Sequence, residues 1–508
     1  MSQLNALFAQ YQSCVHRYDF QGAVETLQRA HKLDPTNDKI LVDLGSACSK
    51  AYDFGAAQGW FDEAVKVSTT RAAALNAVGH AWLEVRNFEA AQSCFERVLQ
   101  EKQVPLASFI RLSEICLRRR RLEEAAQLTE RALRLYGPHD SAILARANVH
   151  RQLGQFDVAE KLCRILAEKP NADPTVRAFA NYELAALFDH TAQYDLAMKA
   201  LLEAKALLRR SASGPLKILQ QKQAHLKQMR QSASEKSVHR WRKSAAADLQ
   251  PARNLALLCG HARSGTTLLE YVIDAHPSVI SSEESAIFHN TAYFPLGQAF
   301  SKDTSFVSAL DWLPPRTMRQ IRDGYFRGTE SLLGEAIGQR LLLDKNPANT
   351  FDVPAIARIF PENKFIAAVR DPRDVCLSCF MQPVNLLPDT ASWLSLEGTI
   401  EHYNLIMGLW TAWKPCLGEL AIEVRYEDMV DNLEASARRT LDFLGLVWEP
   451  KVLRFHEHAS TKIVRSPTFA EVTQPLYRGS VGRWKNYKKY FEPHLAKLEP
   501  LARAFGYE

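Results

Sequence analysis

The sequence predicts an α-helical solenoid followed by an α/β domain with a central parallel sheet, and three observations carry that reading. Aromatic and small residues recur at 34-residue intervals over about the first 210 residues. From about residue 251, short apolar runs alternate with helical patterns, which argues a parallel sheet with helices on both faces. At 255–275 the chain reads LALLCGHARSGTTLLEYVIDA: an apolar strand, a glycine-framed loop and an amphipathic helix.

The repeat comes first in the chain. Phe20, Phe54, Phe88, Leu122 and Phe156 follow one another at intervals of 34, and Tyr194 follows after 38. Three residues past each marker stands an alanine: Ala23, Ala57, Ala91, Ala125, Ala159 and Ala197. Ten past it stands a small or apolar side chain: Ala30, Ala64, Val98, Ala132, Leu166 and Ala204. Gly45 and Gly79 lie twelve before an alanine, where two helices must approach closely. This pattern resembles the tetratricopeptide repeat, with six units over about residues 4–208. One helix pair cannot bury its apolar face alone, so such units stack, and the resemblance implies a superhelix with a concave groove for a protein or peptide partner. A structural spacer or dimerisation arm is the other reading.

Residues 211–250 change composition. Eight lysines and arginines stand against Glu235 and Asp248, with Leu216, Leu219, Leu226 and Met229 at helical spacing. A basic helical cap and linker is expected, its charge forming a solvated face or a contact for an acidic partner.

Residues 251–508 form the expected α/β domain. Leu255–Cys259, Leu341–Leu343, Lys364–Val369 and Leu420–Val424 read as buried strands. Ligands of such sheets bind at the carboxyl ends of the strands. The loop Gly260-x4-Gly265-Thr266-Thr267 nearly matches the phosphate-binding pattern G-x-x-x-x-G-K-[ST], but Thr266 replaces the lysine and Arg263 is the loop's only cation. Backbone N–H groups at a helix start favour an anion, so the loop should hold a phosphate without being equipped for a triphosphate. A second strand end carries Arg370-Asp371-Pro372-Arg373-Asp374, with Asp374 expected to cap the next helix and Ser378 returning to face the same cleft. Arginine and hydroxyl together suit a second phosphate. A third places Lys345 in Asp344-Lys345-Asn346-Pro347, and a basic glycine-containing segment runs from Tyr477 to Asn486.

In this order, these four pieces resemble the sulfotransferase superfamily, over about residues 252–490. That resemblance implies 3′-phosphoadenosine 5′-phosphosulfate as donor and no metal. It implies that Arg263, Ser264, Gly265, Thr266 and Thr267 bind the 5′-phosphate end. Arg370 and Ser378 would bind the 3′-phosphate, with Arg478 and Gly479 closing over it and Tyr426 near the adenine. The interval of 21 residues from Arg263 to Glu284, enclosing Asp274-Ala275-His276-Pro277, is similar to tyrosylprotein sulfotransferases, where the second glutamate of the pair is the general base. Carbohydrate sulfotransferases share a glutamate and a Lys-x-Pro stretch here, so a glycan or lipid acceptor remains an alternative to a protein hydroxyl. An inert binding scaffold is a further one. Sulfuryl transfer needs a carboxylate to take the acceptor proton and fixed cations for the developing charge, the roles implied for Glu284 and for Arg263 with Lys345. Glu283 and Glu284 also fit a helix N-terminal pair, and Lys345 a structural ion pair.

Composition bounds the rest. The chain's 508 residues exceed one domain at ~100–200 residues each. A net charge of +6 is too modest to argue nucleic-acid binding. The start lacks a secretory pattern, and no apolar run of about 18 residues occurs, so no membrane span is expected. Nine dispersed cysteines fit a reducing, cytoplasmic setting. Cys376 and Cys379, a lone C-x-x-C, read as buried small residues rather than a zinc site. The acceptor, the ligand of the groove and the oligomeric state stay open.

Overall fold

The computed structural model describes residues 3–293, 296–297, 306–460, 473, 476 and 478–508, the side chains of 246 and 247 apart. Tyr477, the first residue of the basic glycine-containing segment, lies outside them.

Six helix pairs fill Gln3–Arg209: α1/α2 (Gln3–His16, Phe20–Leu33), α3/α4 (Asp38–Lys50, Phe54–Val67), α5/α6 (Arg71–Glu84, Phe88–Val98), α7/α8 (Leu106–Arg118, Leu122–Tyr136), α9/α10 (Asp140–Gln152, Phe156–Glu168) and α11/α12 (Pro174–His190, Tyr194–Arg209). Every sequence marker is the first residue of the second helix in its pair. Two residues before each marker the backbone turns left-handed: Tyr18, Tyr52, Arg86, Arg120 and Ala192 have φ of 55° to 61°, and Gly154 has 76°. The turn is fixed by the repeat, so it recurs even where no glycine relieves it. The marker-plus-three alanines are all 0% exposed, because a larger side chain would hold the paired helices apart. A Cβ on Gly45 would lie 2.4 Å from the Phe61 ring, and one on Gly79 2.7 Å from Phe95. Those two glycines mark the close approaches expected of them.

The chain divides into two compact units. The first comprises Met1–Ala145, Ala286–Asp303 and Arg316–Gly338; the second Arg146–Ser285, Thr304–Pro315 and Gln339–Glu508. These differ from the sequence divisions 1–210, 211–250 and 251–508. In the first unit, repeat two meets the later segments: Asn290 Nδ2 donates to Tyr52 Oη at 3.2 Å, and the Phe54 N–H to Ser331 Oγ at 3.5 Å.

In the second unit, the basic stretch forms two helices, α13 (Ser213–Gln231) and α14 (Glu235–Asp248). Their apolar residues Leu219, Leu226, Met229 and Trp241 are buried. Trp241 stacks on Trp413 with ring centres 6.3 Å apart, and Trp413 Nε1 donates to the Met229 carbonyl at 3.1 Å. Several of its cations are paired locally, Lys222 with Asp389 and Arg242 with Glu419, both at 3.0 Å.

The sheet has five parallel strands in the order β2-β3-β1-β4-β5. They are β1 (Leu255–Gly260), β2 (Val279–Ser281), β3 (Leu341–Lys345), β4 (Lys364–Val369) and β5 (Ala421–Arg425). The short β2 was not expected from sequence; three residues carry too little alternation to show. β1 is central and fully buried, as a strand covered on both faces must be. Register pairs Leu258 with Lys345, Gly260 with Ala368, and Val369 with Arg425. These pairings bring the polar carboxyl ends of four strands to one edge.

Candidate active site

The loop between β1 and helix α15 (Thr266–Asp274) is built around two glycines. Gly260 has φ of 135°, and a Cβ there would lie 2.5 Å from the Ala368 carbonyl oxygen. Its N–H donates to Thr350 Oγ1 at 2.9 Å, and that hydroxyl donates back to the Gly260 carbonyl at 2.6 Å. Gly265 caps α15 with φ of 93°, and a Cβ there would meet the Tyr426 ring at 2.6 Å. Ser264 Oγ donates to the His261 carbonyl at 2.7 Å, which tightens the turn. Thr266 and Thr267 open α15, so their N–H groups belong to the orphan donors of a helix start. His261 is buried, and burial with the nearby His402 pushes it down to about 3, so it is a neutral packing residue.

The two halves of the expected phosphate clamp meet. Arg263 Nε donates to Ser378 Oγ at 2.9 Å, joining the loop to the residue assigned to the other phosphate. Arg370 Nη1 donates to the Arg263 carbonyl at 3.2 Å, and Nη2 to the Ser480 carbonyl. Its guanidinium sits 4.8 Å from the centre of the Tyr426 ring. Arg370 Nε is buried with no hydrogen-bond partner among the described residues. Two guanidinium groups, a hydroxyl and a helix start therefore converge, and a buried N–H awaits an acceptor. That is a fit for a bisphosphate.

Two sequence expectations shift here. Asp371, not Asp374, caps the helix α16 (Pro372–Met381), accepting from the Arg373 N–H at 2.9 Å. Pro372 sits at the first helical position, so the residue before it must be the cap. Asp374 instead accepts from the N–H groups of Gly482 at 2.7 Å and Trp484 at 2.8 Å, which pins the late segment against α16. Arg478 has a 70% exposed side chain and pairs with Asp431 at 2.7 Å; Gly479 lies in the turn beside it. The segment reaches the clamp through the Ser480 carbonyl rather than through Arg478. Trp484 is buried, with Arg373 4.5 Å from its ring centre.

The third strand end holds an ion cluster. Lys345 Nζ is buried 2.9 Å from Glu270 Oε2 and 3.2 Å from Glu284 Oε1. Burial alone would pull the ammonium down, but the charges of Glu270 and Glu284 outweigh it and hold Lys345 above its ordinary value. Burial pushes the Glu270 carboxyl up, against the pull of Lys345. The lysine stays charged, since a neutral amine would leave the two carboxylates uncompensated in a dry site. Glu270 was missed in the sequence. Its signal was an acid in the middle of the apolar run LLEYVI, a helix segment in which every residue proves buried. Glu283 has φ of 44° and accepts from Tyr271 Oη at 3.2 Å, so of the two adjacent glutamates it is Glu284 that turns to Lys345. His276 accepts the Ser278 N–H at 3.1 Å and closes a turn. Among the described residues no group of three or more His, Cys, Asp or Glu is placed to hold a metal ion.

Residues 256–450 match the sulfotransferase family model. The chain thus carries N-terminal helical repeats and a C-terminal sulfotransferase-family domain. It is 25% identical over 267 residues to protein-tyrosine sulfotransferase 2 of Gallus gallus, covering 50% of this chain and 69% of that one. It is 23% identical over 341 residues to an uncharacterized protein of Aquifex aeolicus (strain VF5), covering 66% of this chain. The chain spans 43% of the length of that relative. Among solved structures, the sulfotransferase domain from the Synechococcus PCC 7002 olefin synthase covers 51% of this chain and 97% of its own, at 17% identity and a TM-score of 0.37.

Proposed function

We propose that the protein transfers a sulfuryl group from 3′-phosphoadenosine 5′-phosphosulfate to a hydroxyl acceptor on a protein or peptide, tyrosine foremost. The observation that carries this reading is the convergence of Arg263, Ser378 and Arg370 at the start of α15, with Glu284 and Lys345 at the adjoining strand end. The donor is a substrate that supplies the sulfuryl group. Arg263, Ser264, Gly265, Thr266 and Thr267 hold its phosphate at the loop, Arg370 and Ser378 hold the second phosphate, and Tyr426 lies beneath as a ring surface. Glu284 takes the acceptor hydroxyl proton as the new O–S bond forms and the bond to the phosphate oxygen breaks. Lys345 and Arg263 stabilise the charge that develops on the transferring and leaving oxygens. The similarity to protein-tyrosine sulfotransferases and the repeats, read as an acceptor-presenting surface, favour a protein acceptor. Nine unpaired thiols favour a reducing, cytoplasmic compartment.

The test is incubation of the full chain with sulfate-labelled donor and tyrosine peptides, glycans and lipid alcohols in parallel. Labelled peptide is the expected product; label only on glycans or lipids moves the acceptor class. Glu284→Ala is expected to lower turnover by about 10²- to 10⁴-fold, and full turnover would remove the base assignment. Failure of the wild-type protein to bind adenosine 3′,5′-bisphosphate in calorimetry would leave it a binding scaffold.

A further inference from the structure

The last helical repeat meets the same second-unit elements that carry the phosphate clamp. Asp189, near the end of α11, accepts from Tyr487 Oη at 2.7 Å and pairs with Arg483. The ring of Tyr194, which opens α12, packs edge-on against Tyr487 with centres 5.4 Å apart. Asp195 pairs with Lys489 at 2.7 Å and accepts from Tyr490 Oη at 3.1 Å. Between Ser480 and Tyr487 this segment supplies the carbonyl that Arg370 Nη2 donates to and the N–H groups that Asp374 gathers. A second contact comes from α12. Lys205 is buried, 4.3 Å from the centre of the Phe380 ring, two residues past Ser378 on α16. Repeat six thus touches both elements assigned to the second phosphate, one through Asp189 and one through Lys205.

The geometry points to Asp189 as a positioning residue for the donor: through Arg483 and Tyr487 it fixes the 480–487 segment that orients Arg370, so the sixth repeat is a working part of the donor site. This rests on the sulfotransferase reading above. An amide in place of the carboxylate keeps one acceptor oxygen and loses the charge, so Arg483 and Tyr487 can no longer both be held, the segment shifts, and Arg370 is left without its fixed carbonyl. The Glu284–Lys345 end is untouched. Binding should therefore suffer while chemistry on bound donor persists.

The experiment is calorimetry of the full chain with adenosine 3′,5′-bisphosphate, paired with steady-state kinetics. Asp189→Asn is expected to weaken binding by about tenfold or more, a charge-assisted hydrogen-bond's worth. The donor KM should rise by the same factor, with kcat at saturating donor and the acceptor KM within about twofold. Tyr487→Phe removes one hydrogen bond and keeps the Asp189–Arg483 pair, so about a threefold loss is expected, and it decides the matter if the Asn variant does not fold. A wild-type protein that binds the bisphosphate, with variants that bind it equally well and only melt earlier, would overturn the positioning role alone. A wild-type protein that does not bind it would overturn the donor reading and this inference with it.

Discussion

Lys345 is fully buried between two carboxylates, one on α15 and one just past β2. Glu270 and Glu284 share this one ammonium, with burial pushing the Glu270 carboxyl up against the pull of Lys345, and Glu284 is the carboxylate to which the proposed reaction gives the proton. In the proposed reaction Glu270 keeps Lys345 charged and in place while Glu284 serves the acceptor. Removing one partner of a buried pair leaves the other uncompensated, so Glu270→Ala is expected to destabilise the second unit by about 3–5 kcal/mol, read by urea unfolding. Glu270→Gln keeps the shape and loses the charge; its kcat should fall about 10- to 100-fold with little change in donor affinity. Equal turnover in the Gln variant would show that Lys345 needs Glu284 alone.

At the scale of elements, the repeats show what sequence spacing carries. The marker that opens each second helix is preceded by Asp19, Asp53 and Asn87 in the first three units, and each accepts a hydrogen bond from an N–H three residues on, at 2.9 to 3.0 Å. Units four to six have Arg121, Gln155 and Gln193 there, without a side-chain cap bond. Asp53→Ala should therefore cost about 1 kcal/mol, measured by thermal or urea unfolding, whereas Gln155→Ala should cost almost nothing. The repeats were legible because their period and their packing alanines are local constraints, each written within one helix pair. Four of the five strands were legible as apolar runs, to within two residues at their ends. Arg263, Arg370 and Lys345 could be placed at strand ends from the apolar runs before them and Ser378 from its spacing along the next helix, whereas Glu284, which follows the unexpected β2, was named from the resemblance alone. The role of Asp374 and the existence of the Glu270–Lys345 pair were not legible. Both depend on which elements the sheet order sets side by side, and no local spacing encodes that.

On the scale of the whole molecule, burial of charge makes stability depend on pH. Lys205 is enclosed by Phe380 and Tyr182, and burial pushes its ammonium down from 10.5 to about 7. Between those two values the unfolded chain holds a proton that the native chain has released, so stability from this site rises with pH across that window. Below about pH 7 the cost of the buried charge is fully present. Lys205→Met should thus stabilise the protein by about 2–4 kcal/mol at pH 6.5, with the gain shrinking toward zero by pH 10.5. Urea titrations at pH 6.5 and 9.5 check this, and an equal gain at both values would contradict it.

The division into two units has one more consequence. The backbone passes between them five times, at 145, 285, 303, 315 and 338, and the first passage falls inside α9. The repeats are therefore not a cassette. An exchange of all six repeats would remove residues from both units at once. A change in the sixth repeat is thus at the same time a change in the unit that holds the sheet.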